Sequence, residues 1–158
     1  GKPMGNGYPV AGLVMKPEVI AAFGSKARYF NTFGGNAVAA ATALAVLEVI
    51  ENEGLMDNAA KVGAAFRDGL LALAKDHAAL GPIRAAGLFL GAEIVRDGDP
   101  MAPDASRTAQ VVNRLREAGV LISATGPRAN VLKIRPPLVF SAENVAFFLD
   151  RLDSALRG

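Results

Sequence analysis

The chain has 158 residues, 17 Lys and Arg against 15 Asp and Glu, a formal net charge of +2, and 51% apolar residues. That balance excludes a disordered polymer and lacks the electrostatic footprint of a nucleic-acid binder, and no apolar run reaches the roughly 18 residues of a membrane span. The absence of Cys and the single His remove disulfides, thiol nucleophiles, thiolate or His-rich metal sites and a histidine triad.

Thirty of the residues are alanine, so much of the hydrophobicity consists of small side chains suited to helices. Residues 1–9 (GKPMGNGYP) hold three Gly and two Pro and read as a loop. They carry no signal peptide and no initiator Met, and the chain opens in the middle of a turn. Residues 10–15 (VAGLVM) read as a short buried strand. Pro17 opens a short helix to Phe23, and 24–36 is irregular. A helix follows from Ala37 to about Glu53, where Gly54 stops it. Its apolar residues cover nearly its whole circumference, which predicts packing on several sides.

Asp57 or Asn58 is the predicted cap of the next helix, which runs to about Ala79 with Val62, Phe66, Leu70 and Leu73 on one stripe. His77 falls in its last turn and reads as a surface histidine near the negative end of the helix dipole. Residues 83–95 (IRAAGLFLGAEIV) predict a strand pair or one bent strand, with Gly87 and Gly91 at bulges or close approaches. A turn-rich loop fills 96–105. Ser106 caps a helix to Ala118, a strand covers 120–123, another covers 131–134, and Ser141 caps a last amphipathic helix. The layout is α/β, with helices packed against a small sheet.

Three places could carry chemistry. Lys2 sits in a Gly/Pro turn beside apolar residues; those surroundings lower an amine's pKa and favour Schiff-base formation, although most loop lysines are solvated and idle. Asn31-Thr32-Phe33-Gly34-Gly35-Asn36 precedes a helix, where a hydroxyl and backbone amides suit a phosphate; the same residues also read as an ordinary N-cap with glycines. Lys133 and Arg135 alternate along a strand, so both point away from Ile134. They either clamp an anionic group or form the solvated side of the strand.

The segment GKPMGNGYPVAGLV, followed by FNTFGGNAVAAATALAVLEVIENEGL, resembles the pyridoxal-phosphate (PLP) dependent class III aminotransferases. That family includes ornithine, 4-aminobutyrate and acetylornithine aminotransferases, dialkylglycine decarboxylase, and phospholyases acting on phosphorylated amines. The likeness continues through RAAGLFLGAEIV and LREAGVLIS, closes at VLKIRPPLVFS, and keeps the family's order.

The resemblance implies the C-terminal part of a fold type I enzyme. Residues 1–36 would end the large cofactor domain, 37–54 would form a connecting helix, and 55–158 would be a small C-terminal α/β domain. It further implies a cytoplasmic homodimer with its active site shared across the interface, no membrane and no nucleic acid. Lys2 matches the lysine that forms the Schiff base with PLP and moves the substrate proton. Thr32 matches the threonine that binds the cofactor phosphate of the neighbouring subunit, with Asn31 assisting.

One departure stands out. Where many members carry a carboxylate-binding arginine in a pattern like R-x-A-P-P, this chain has Lys133, and Arg135 replaces the small residue. A lysine lacks the bidentate fork that matches a carboxylate. The form is nearer the alanine–glyoxylate and phosphoamine-phospholyase branch. The expected activity is transamination between an amino donor and a keto or aldehyde acceptor. The alternatives are phospho-lyase action on a phosphorylated amine, or a non-catalytic dimerisation or binding module. The cofactor residues that other members hold ahead of this lysine are absent, so the isolated chain is expected to be incompetent alone.

Overall fold

The computed structural model describes residues 4–158, which fall into two units that divide between Glu53 and Gly54. Among the described residues no helix is long and apolar enough to cross a membrane.

The first unit holds two helices, α1 (Pro17–Lys26) and α2 (Ala37–Asn52). Pro at the first turn starts α1, and the Ala27 amide closes it by donating to the Phe23 carbonyl at 2.9 Å. Residues 10–15 form no strand. A strand needs a neighbour to take its backbone groups, and among the described residues the apolar run has none, with Leu13 and Val14 exposed. The Asn36 side chain caps α2 by accepting the Ala39 amide at 3.0 Å. Of the residues of α2 only Ala39 and Ala43 are buried, while Val38, Leu44, Leu47 and Val49 are exposed. The packing on several sides predicted from its composition is therefore not supplied by the described chain. Its length, alanine content and cap suffice to make it a helix.

The second unit runs α3 (Leu55–Asp76), β1 (Leu80–Ala86), β2 (Phe89–Arg96), β3 (Asp99–Pro103), α4 (Ala105–Glu117), β4 (Ser123–Thr125), β5 (Val131–Ile134) and α5 (Ala142–Arg157). The sheet has the order β1-β2-β5-β4, every pairing antiparallel, with β3 attached to β2. Phe66 and Leu70 of α3, Val111 and Leu115 of α4, and Phe148 and Leu152 of α5 bury one face of it. Phe66 is the pivot: it meets Phe148 edge-on at 4.9 Å between ring centres and lies nearly parallel to Phe140 at 6.0 Å.

Several boundaries differ from the sequence expectation, each for a local reason. Gly54, with φ +61, precedes α3 and makes no side-chain cap, so neither Asp57 nor Asn58 starts that helix. Asn58 instead donates to the carbonyls of Leu138 and Phe140, tying α3 to the segment after β5. Residues 83–95 resolve into the hairpin β1–β2, whose turn at Gly87 takes φ +54. Gly63 of α3 packs against that turn so closely that a Cβ there would collide with the Gly87 backbone.

The loop predicted over 96–105 contains β3, which pairs with β2 despite its prolines because it lies at an edge. Asp104, not Ser106, caps α4 by accepting the Arg107 amide at 2.9 Å. The strand predicted over 120–123 begins at Ser123, where pairing with β5 begins. Ser141 caps α5 as read from sequence.

His77 is not a surface residue. It is buried at the end of α3, with Nε2 2.7 Å from Asp153 Oδ1 on α5.

Candidate active site

Antiparallel pairing decides which side chains share a face, because directly opposed residues point the same way. Leu90, Ala92 and Ile94 of β2 and Leu132 and Ile134 of β5 are buried under the helices. The alternate positions therefore rise from the other face. These are Phe89, Gly91 and Glu93 on β2 and Val131 and Lys133 on β5, with Arg84 and Lys133 flanking Gly91 and Ser123 on the far side of Lys133. Arg135 continues the same alternation one step past β5. The common face of Lys133 and Arg135, read from the alternation of KIR, agrees with the place of Lys133 in the ladder and with the position of Arg135 against Phe89 on β2.

Charge on this face is unevenly compensated. Glu93 forms an ion pair with Arg84 at 2.6 Å and accepts a long hydrogen bond from Asn130. Among the described residues neither Lys133 nor Arg135 has a carboxylate within ion-pair distance. The guanidinium of Arg135 lies 5.9 Å from the centre of the Phe89 ring, which backs it from the neighbouring strand. A cleft of about 720 Å³ has Ser123, Lys133 and Arg135 in its lining, together with apolar residues of the helix-covered side, among them Phe66, Ile134, Phe140 and Phe148. Two cations and a hydroxyl beside an apolar wall suit an anionic group on a small organic substrate.

In the first unit, the loop before α2 is built by two asparagines. Asn31 Oδ1 accepts the amides of Phe33 (3.3 Å) and Gly34 (2.9 Å), and Asn36 Nδ2 donates to the Phe33 carbonyl at 2.8 Å. Gly34 lies so near Asn31 that a Cβ there would stand 2.6 Å from its Nδ2, and Gly35 takes φ +68. Thr32, at the turn that Asn31 holds, is exposed, and its hydroxyl makes no hydrogen bond among the described residues. No acid stands in the first turn of α2, so the positive end of its dipole is uncompensated. Lys2 lies outside the described residues.

Sequence reasoning singled out Lys133, Arg135, Thr32 and Asn31 as site residues, read Gly91 only as a bulge or close approach, and did not single out Ser123 or Phe89. The signal for those three is strand register, which depends on partners some forty residues apart for β2–β5 and appears only once the ladder is drawn.

The sequence matches the Aminotransferase class-III family over residues 1–156. It is 39% identical to the ethanolamine-phosphate phospho-lyase homolog 1 of Caenorhabditis elegans, over 99% of this chain and 34% of that protein. It is 43% identical to the alanine–glyoxylate aminotransferase 2-like protein of Drosophila melanogaster, over 94% of this chain and 30% of that protein. Among solved structures, a phospholyase from Arthrobacter in complex with phosphoethanolamine superimposes with a TM-score of 0.94 at 40% identity, covering all of this chain and 37% of that one. The chain thus spans about a third of the length of the relatives it matches.

Proposed function

Because the chain belongs to the class-III aminotransferase family, which is PLP-dependent, we propose that it supplies the C-terminal third of an enzyme that eliminates phosphate from a phosphorylated primary amine. The observation that carries this reading is the pair of cations Lys133 and Arg135, without carboxylate partners among the described residues, on the open face of the sheet. Likeness to a phospho-lyase homolog in sequence and to a phospholyase in structure points the same way.

The residues present fit the cofactor's phosphate. The donors are the Thr32 hydroxyl, with no partner among the described residues, and the uncompensated N-terminus of α2 behind a glycine turn. Bound PLP supplies the electron sink that makes the hydrogen on the amine-bearing carbon acidic. Thr32, with Asn31 bracing its turn, anchors the cofactor's phosphate from one protomer into its neighbour's site, so the working unit is a homodimer. Lys2 takes the proton from the amine-bearing carbon. Lys133 and Arg135 hold the substrate phosphate, which departs with the electron pair of its C–O bond. The chain divides for this work into the end of the cofactor domain (1–36), a connecting helix (37–54) and the small domain (55–158).

A second reading, transamination with an amino donor and a keto or aldehyde acceptor, is favoured by the aminotransferase-like name of the Drosophila relative. The same two cations would then receive a carboxylate. One assay separates the two. The full-length, PLP-loaded protein is given phosphoethanolamine with no keto acid, and inorganic phosphate is followed. Release of phosphate supports elimination; turnover only on addition of an acceptor, with no phosphate released, supports transamination. Lys2→Ala should abolish either activity, and turnover surviving that change would end both.

A further inference from the structure

We infer that Ser123 is the third donor of the anion site on the open sheet face and gives it preference for a tetrahedral phosphate over a planar carboxylate. This rests on the reading of Lys133 and Arg135 as the substrate-anion cradle.

Ser123 is the first residue of β4 and the register partner of Lys133. Opposed residues in an antiparallel ladder share a face, so its side chain leaves the sheet beside that of Lys133. Both residues line the same cleft as Arg135. Ser123 is exposed, and among the described residues its hydroxyl makes no hydrogen bond, unlike Ser141, whose hydroxyl is taken by its helix cap, or Thr108, which bonds the Asp104 carbonyl at 2.6 Å. On the other side of Lys133 stands Gly91, which offers no side-chain donor. The polar neighbour of Lys133 across β4–β5 is therefore Ser123.

Ligand geometry gives that hydroxyl a selective task. A carboxylate has two oxygens in a plane, and a guanidinium fork with a lysine beside it can satisfy both. A phosphate monoester has three terminal oxygens in a tetrahedral array, so one remains after the fork and the ammonium have engaged theirs. A serine O–H donating to that third oxygen strengthens phosphate binding and adds little for a carboxylate. Discrimination of this kind comes from a donor that one ligand can use and the other cannot.

The test uses the full-length protein loaded with PLP, so that the cofactor's own phosphate site is filled, and measures the affinities of inorganic phosphate and acetate by calorimetry. Ser123→Ala is expected to weaken phosphate about tenfold, the size of one hydrogen bond to a charged group, and to change acetate less than about twofold. Ser123→Thr, which keeps a hydroxyl, is expected to restore phosphate affinity. The KM for phosphoethanolamine should follow phosphate affinity. If Ser123→Ala binds phosphate like the parent protein while Lys133→Ala and Arg135→Ala weaken it, the cradle stands and the role of Ser123 is refuted. Equal weakening of acetate and phosphate also refutes it. If Lys133→Ala and Arg135→Ala leave phosphate affinity and turnover unchanged, the cradle itself fails, and this inference with it.

Discussion

Lys133 on β5 stands directly opposite Gly91 on β2, so the cation rises beside a position that has no side chain. A Cβ at Gly91 would lie 3.2 Å from Val131 Cγ1, close enough that alanine needs only a small adjustment. The branches of a valine would stand over the floor between Lys133 and Arg84. Gly91→Val should therefore fold, since valine suits a strand, but lower kcat/KM for the phosphorylated amine by roughly 10–100-fold through misplacement of the substrate. Steady-state kinetics together with retained cofactor absorbance would establish this. Unchanged kcat/KM would show that the substrate does not lie over Gly91.

Phe89 bears on the same site through Arg135, whose guanidinium it faces across 5.9 Å. The ring is 60% exposed, so the attraction belongs at the weak end of the cation–π range, about 0.5–1 kcal/mol. Phe89→Leu keeps apolar volume but removes the ring face. It should raise KM roughly two- to fivefold with kcat held, and Phe89→Tyr should restore it. A fall in kcat with KM unchanged would mean that Phe89 acts on something other than the placement of Arg135.

Stability of the small unit concentrates at Phe66, which is fully buried and touches aromatic partners on α5 and on the segment before it. Phe66→Ala removes the ring from between these elements and leaves a cavity under the sheet. A loss of about 3–5 kcal/mol is expected from urea unfolding of this unit within the whole protein. Because Phe66 also backs the cleft that takes in Lys133, the variant should lose substrate affinity as well. A loss below about 1 kcal/mol would show that the site collapses around the missing ring.

What could be read from the sequence was what depends on neighbours a few residues away. The Asn36 and Ser141 caps are of this kind, since each side chain accepts an amide three residues on. So is the common face of Lys133 and Arg135, which needs only the two-residue strand period. The helices against a small sheet followed from the same periodicities. Choices between local competitors failed: Asp104 and Ser106 both qualify as caps, and the structure uses the earlier one. Features settled by distant partners were out of reach. Residues 10–15 look like a strand but have no strand neighbour among the described residues, whereas β3, rich in turn residues, gains strand geometry from β2. Ser123 joins the cleft through register with β5, and His77 is drawn inward by a carboxylate 76 positions away. Lys2, on which the resemblance leans most, lies outside the described residues, and its role rests on the proposed chemistry.

That long-range carboxylate makes a pH-dependent fastening between α3 and α5. Asp153 receives hydrogen bonds from Arg157, at 3.0 and 2.9 Å, and pairs with His77 at 2.7 Å. The Arg157 guanidinium foremost, and His77 after it, lower the Asp153 carboxyl from its ordinary 3.8 to about 2. A carboxyl whose folded pKa lies below its unfolded one binds fewer protons when folded. Its stabilisation is therefore complete above the unfolded pKa and is lost as pH falls through 3.8 toward and below 2. The urea midpoint of the parent should exceed that of Asp153→Asn at about pH 5, and the margin should shrink steadily below pH 4. Arg157→Ala removes the largest cause and brings the folded pKa nearer the unfolded one, so its acid-induced loss should be smaller than the parent's and complete at a higher pH. A margin between the parent and Asp153→Asn that stays constant down to about pH 2.5 would mean that the ionised Asp153 does not hold the two helices together.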